Sequence, residues 1–290
     1  MCVGLFVFAA PLAAQTVESP DLETTLAFAA ERVAAYFARA QSLVCLETVH
    51  IQPLGTGLGP DGVGRTVESE LRLSWDPTED GGTEAATRRQ VIKVNGRPPR
   101  KNDYRACTTP EQEATETQPL SMLLVEQRDE YTFALAGVDR VDKRPAIRVD
   151  YRLKAKPTVE VKMVEGLDDC VSYDVSGGRQ GRLWIDAETF DVLRLDQRLS
   201  GYVEFRVPSE IARRPGATAY WTLERHDITT RFKRVSFEEP AETLVLPVSQ
   251  TSINITRGAG TPRQRTITEY KAYKRFITGG RIITEPKDKE

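Results

Sequence analysis

The stretch GRLWIDAETFDVLRLD, residues Gly181 to Asp196, decides the fold. Two runs rich in β-branched and large apolar residues, Leu183-Trp184-Ile185 and Val192-Leu193-Arg194-Leu195, flank a short polar segment that begins with Asp186. An aspartate in that position accepts backbone hydrogen bonds from the residues that follow it, which closes a tight turn and predicts an antiparallel hairpin. The second strand is expected to run on through Gln197 and Arg198.

Outward from the hairpin the same grammar repeats. Leu71 to Trp75, Arg89 to Val94, Tyr131 to Val138, Ala146 to Leu153 and Val159 to Val164 are short runs bounded by Gly, Pro or Asp. Most alternate apolar with polar residues, as a sheet with one dry and one wet face requires, because successive side chains point to opposite faces. A longer run spans Ala219 to Phe237, with Trp221, Leu223 and Val235 on one parity and Tyr220, Ile228 and Phe232 on the other. That parity switch predicts a bulge near His226. Leu244 to Ile255 and Arg265 to Phe276 bring the expected count to near ten strands. Two helices are predicted against this sheet. The first covers Leu22 to Ala40, where Leu22, Leu26, Ala29, Val33, Tyr36 and Phe37 recur at three-and-four spacing behind a Ser19-Pro20-Asp21 start signal. It leads into a first strand over Val44 to Ile51. The second, over Pro119 to Gln127, is short and carries Leu120, Leu123 and Leu124.

Composition bounds the function. In 290 residues, 40% hydrophobic and 28% charged, 40 Lys and Arg stand against 42 Asp and Glu for a net charge of -2. That balance, with no long block of one sign, argues against nucleic acid as a partner. Met1 to Ala14 is uncharged and apolar and ends Pro11-Leu12-Ala13-Ala14 before Gln15. It reads as a signal peptide, although no basic residue precedes its core. It is too short to span a bilayer. The expectation is an exported protein, periplasmic or secreted, not membrane-spanning after cleavage, with residues 15–290 as a single β-rich domain. Cys2 precedes the apolar run, so no lipid anchor is expected. Among the remaining cysteines, Cys45 lies in an apolar stretch, whereas Cys107 and Cys170 sit in polar, turn-like surroundings and are the expected disulfide.

Catalytic grammar is missing. No GxSxG, SxxK, HExxH or CxxC occurs, and His50 and His226 are the only histidines. No catalytic residue, metal or cofactor is therefore expected. His226 in Glu224-Arg225-His226-Asp227 reads as a solvated or core-edge histidine, since neighbours on a strand face opposite sides. Asp168-Asp169 and Glu238-Glu239 read as solvated carboxylates, and the glycine-rich Gly55 to Gly64 as a hairpin tip. Arg225, Arg231, Lys233 and Arg234 form a basic strand region open to an anionic head group, though acids interleave with it. Trp75, Tyr151, Trp184, Trp221, Phe232 and Tyr270 are the aromatic residues with which to line a ligand cavity on a concave sheet face; packed core is the competing reading of the same stripe.

The order of long N-terminal helix, many antiparallel strands, short internal helix and the hairpin GRLWIDAETFDVLRL resembles the lipoprotein-localisation-factor superfamily of periplasmic carriers. The segments LWIDAET, DVLRLDQRLSG, ETLVLP and RGAGTPRQRT also resemble a group of exported bacterial proteins. The resemblance implies an α+β, mainly β fold: a large curved antiparallel sheet, or half-barrel, with the helices on its concave face and a cavity suited to lipid. The leading expectation is a non-enzymatic binding or carrier protein for a lipid or acyl ligand in the cell envelope. The alternatives are an envelope protein-protein interaction module without ligand, and a hydrolase with an unfamiliar site.

Overall fold

The structure is a computed structural model. It describes residues 21–39, 43–77, 83–100, 103, 111–114, 120–163, 171–213, 215–238, 241–259 and 263–275. The signal segment, Cys107, Cys170 and Asp168-Asp169 lie outside these residues.

The predicted first helix is α1, Leu22–Arg39. Asp21 caps it: its carboxylate accepts the Thr24 amide at 3.0 Å and the Thr24 hydroxyl at 2.7 Å, satisfying one of the amides that a helix start leaves unbonded. Leu26, Ala29 and Val33 form its buried stripe. The strands are β1 (Leu43–Leu54), β2 (Arg65–Pro77), β3 (Thr83–Val94), β4 (Glu111–Ala114), β5 (Tyr131–Val141), β6 (Arg144–Leu153), β7 (Thr158–Met163), β8 (Val171–Ser176), β9 (Arg179–Asp186), β10 (Val192–Leu199), β11 (Val203–Arg206), β12 (Tyr220–Phe237), β13 (Glu242–Arg257) and β14 (Arg263–Arg275). The expected count of ten was low because β4, β8 and β11 are only four to six residues long. The predicted second helix is also corrected. Leu124 is extended, at ψ 146°, and divides the segment into a single 3-10 turn, Ser121–Leu123, and the one-turn α2, Val125–Arg128. A third one-turn helix, α3, spans Ser209–Ala212.

Twelve strands form one antiparallel sheet in the order β4-β3-β2-β1-β14-β13-β12-β10-β9-β6-β5, with β11 beside β12 off that path. The sheet does not close: β4 and β5 are its two edges among the described residues. This is the expected half-barrel, an α+β, mainly β fold, with α1 and the short helical turns on its concave face. The hairpin β9–β10 closes as its sequence predicts. The Asp186 carboxylate accepts the amides of Glu188 at 3.1 Å and Thr189 at 2.9 Å. Gly181 answers a different need. A β-carbon there would stand 1.9 Å from the Asp196 carbonyl oxygen, so no larger residue fits between β9 and β10.

Register sorts the side chains by face. Ile147, Val149 and Tyr151 on β6 pair with Ile185, Leu183 and Gly181 on β9. Leu195 on β10 pairs with Leu183 and with Thr230 on β12. These rows meet Leu26, Ala29 and Val33 of α1 and Leu120, Met122 and Leu123 of the turn in the main core. Leu123, Val149, Leu183, Ile185 and Leu195 are fully excluded from solvent, and each such side chain contributes roughly 1.5–3 kcal/mol by leaving water. A second cluster gathers Val203, Phe205, Val207, Ile211, Trp221 and Leu223 under the separate β7–β8 hairpin. Strand β12 feeds both clusters. Its register shifts between Leu223 and Arg225, where the parity switch predicts it, and the extra residue returns Leu223 and Ile228 to the same face.

Candidate functional site

A pocket of about 280 Å³ opens between α1 and the rim of the sheet. Its floor is apolar: Val33 from the helix, Leu120 from the turn, Val192 from β10, and Leu244 and Val245 from β13. Its mouth is basic, with Arg32 and Arg39 from α1 and Arg234 from β12. Helical spacing places both α1 arginines beside the buried stripe, two turns apart. Arg32 is aimed by its Nε donating to the Thr189 carbonyl at 2.9 Å, which ties α1 to the tip of the β9–β10 hairpin. Phe28 and Phe190 stack beside that tie, with ring centroids 4.8 Å apart. Phe190 adopts φ 58°, a left-handed conformation unusual for an aromatic residue. Asp191 is the one carboxylate of the pocket. It accepts both Nε and Nη2 of Arg234, at 2.9 and 2.6 Å. Among the described residues no carboxylate pairs with Arg32 or Arg39. The pocket therefore joins an apolar floor to an excess of cationic charge, as an anionic amphiphile requires.

The six aromatic residues singled out from the sequence are not gathered in one place. Tyr151 and Phe232 meet in the main core. The hydroxyl of Tyr151 donates to the Asp196 carbonyl at 3.4 Å, and burial pushes its pKa up. Trp221 lies in the second cluster, edge-on to Tyr173 and Phe205, and its indole N–H meets no acceptor among the described residues. Tyr270 sits on β14 in register with Glu47 of β1. Trp75 pairs with Ala85 between β2 and β3, and its side chain lies outside the described residues. Trp184 faces away from α1. Its indole N–H donates to Asp139 at 3.3 Å, and the Arg194 guanidinium stacks 4.4 Å from its ring centre. The pocket arginines of α1 were missed because nothing local marks them: Arg32 meets its partner 157 positions along the chain. The basic run on β12 divides by alternation, so that Arg234 lies at the pocket while Arg231 is turned to the other face.

His226 is half-buried on the same face as Ile228. Burial, with Arg179 nearby, lowers its pKa. Among the described residues no group of His, Cys, Asp and Glu is arranged to hold a metal ion, and no helix is long and apolar enough to cross a membrane.

No protein-family model matches the chain, and no curated protein matches it. Solved structures do. An outer membrane lipoprotein-sorting protein domain from Vibrio parahaemolyticus is similar over 89% of this chain and 94% of its own, at 11% identity and a TM-score of 0.46. A DUF1329 family protein from Desulfovibrio piger covers the same shares at 8% identity and a TM-score of 0.44. A LolA superfamily protein from Nitrosomonas europaea covers 91% and 97% at 10% identity and a TM-score of 0.34. At such identities the likeness concerns the fold alone.

Proposed function

We propose that this chain is an exported, non-enzymatic binding or carrier protein of the cell envelope, which holds a lipid or acyl ligand between α1 and the rim of the half-barrel. The observation that carries this reading is the pocket with an apolar floor of Val33, Leu120, Val192, Leu244 and Val245 and a mouth of Arg32, Arg39 and Arg234. An acyl chain laid on that floor gains about 0.8 kcal/mol per buried methylene. An anionic head group at the mouth meets the guanidinium groups of Arg32 and Arg39, which have no carboxylate partner among the described residues, while Arg234 is shared with Asp191. The apolar run Met1 to Ala14 supports export, the chain after it is read as one β-rich domain, and Cys107 with Cys170 as its disulfide in an oxidising compartment.

The test is native mass spectrometry, with lipid extraction, of the protein purified gently from an envelope fraction. An acylated molecule should co-purify, and Arg39→Glu should reduce its occupancy about tenfold, one charge contact at this exposed mouth, without moving the melting temperature. A ligand-free chain that also takes up no fluorescent fatty acid sinks the reading.

A second reading rests on a separate observation. The core beneath α1 is closely packed, while Leu135 and Val138 on the edge strand β5 are 44% and 58% exposed. An edge of that kind suits pairing with another protein, and makes the interaction module the alternative.

A further inference from the structure

The face turned away from α1 has a composition of its own. Five strand segments, Thr132–Ala136, Arg148–Arg152, Gln180–Trp184, Arg194–Arg198 and Arg225–Arg231, lie side by side. They contain Arg148, Arg152, Arg182, Arg194, Arg198, Arg225 and Arg231 against Asp150, Asp196 and Asp227, with no lysine. Register aligns these residues in rows across the strands. Ala134, Asp150, Arg182, Asp196 and Thr229 form one row. Thr132, Arg152, Gln180, Arg198 and Asp227 form the next. Between them Phe133, Tyr151, Gly181, Gln197 and Ile228 direct their side chains to the other face, so the floor is bare backbone. The result is a trough of about 670 Å³ walled by the two rows. Strand geometry sets its walls about 7 Å apart and its length at about 19 Å.

The two walls differ electrostatically. In the first, the carboxylates are consumed: Arg182 holds Asp150 at 2.5 and 2.9 Å, and Arg194 holds Asp196 at 2.8 and 2.6 Å. In the second, Arg225 holds Asp227, and Arg152 and Arg198 form no ion pair or hydrogen bond with a carboxylate among the described residues, although the charge of Arg198 is felt by Asp150 across the trough. Arg152 and Arg198 stand two strands apart, about 10 Å. Arg148 behind the first wall donates Nη2 to the Ala136 carbonyl at 2.7 Å, and its buried Nε meets no acceptor among the described residues. Guanidinium groups set out in rows present planar, forked donors that match carboxylates, which the ammonium of lysine would not. Trp184 is only 8% exposed beneath Arg194, and every other aromatic of these segments points away. The trough thus offers no open aromatic face on which a sugar ring would stack.

We propose that this trough binds an acidic peptide segment of a partner protein, laid across the strands with its carboxylates on Arg152 and Arg198. The trough length fits about six residues of extended chain. The site is separate from the pocket under α1 and stands or falls independently of it.

Fluorescence anisotropy on the full chain tests it, with a labelled peptide of about eight residues alternating glutamate and serine, and a twin with glutamine for glutamate. The acidic peptide should bind, weaken steeply with added salt, and exceed the twin by about tenfold or more. The double variant Arg152→Glu/Arg198→Glu should abolish binding, and Arg198→Gln should weaken it severalfold, with melting temperature and fatty-acid uptake unchanged. Equal binding of the two peptides, or undiminished binding by the double variant, overturns the proposal. So does a uronic-acid oligosaccharide of matched charge that binds more tightly than the peptide.

Discussion

The two faces of strands β6, β9 and β10 are built from alternate residues of the same sequence, yet they differ in every physical respect. Toward α1 stand Ile147, Val149, Leu183, Ile185 and Leu195, none more than 1% exposed. Toward the opposite side stand Arg148, Asp150, Arg182, Trp184, Arg194 and Asp196, joined by ion pairs that remain partly wet. The first face is held by exclusion of water and tolerates no loss of volume. The second is held at one end by a small apolar cluster of Val141, Ala146, Trp184 and Leu193 and elsewhere by ion pairs that water screens, so its charged part contributes little to stability and is left available for recognition. Stability and binding are thereby placed on different residues one position apart.

Three measurements break or sharpen that contrast. Leu183→Ala leaves a cavity at the centre of the packed face and should cost about 3–4 kcal/mol in urea unfolding; a loss below about 1 kcal/mol would remove the contrast between the faces. His226→Gln probes the packed face near its polar end. The folded pKa of His226 is lowered, so below its ordinary value of about 6.5 the unfolded chain binds the proton more readily than the native one. Stability is therefore full above that value and is lost as pH falls from there to the folded pKa. In His226→Gln the slope of stability against pH over that window should flatten; an unchanged slope assigns it to other groups. Arg194→Gln removes both the ion pair to Asp196 and the stacking on Trp184. It should cost no more than about 1 kcal/mol, because the pair is partly exposed, and a larger loss would make the wet face structural after all.

The elements were legible where local chemistry specifies them. Asp186 closes its turn with its own side chain, and the three-and-four spacing of Leu22 to Phe37 marks α1 without reference to anything distant. Glu111–Ala114 carries no strand signal of its own, yet it forms β4, because pairing with β3 overrides a composition poor in β-formers. Leu124 broke the second helix for reasons that the spacing of Leu120, Leu123 and Leu124 does not carry. The site was less legible than the fold. Trp184 and Leu183 are neighbours in sequence and lie on opposite faces, and only the register between strands tells which face is covered. Arg32, Arg39 and Arg234 meet through tertiary structure, so their conjunction is invisible along the chain.

Strand β12 runs for 18 residues, from Tyr220 beside β11 to Phe237 beside the start of β13. It carries Trp221 and Leu223 into one apolar cluster and Phe232 into the other. One continuous backbone thus joins the two clusters. This shared beam fixes the register of one cluster relative to the other through main-chain pairing with β11, β10 and β13, without any side chain to bridge them.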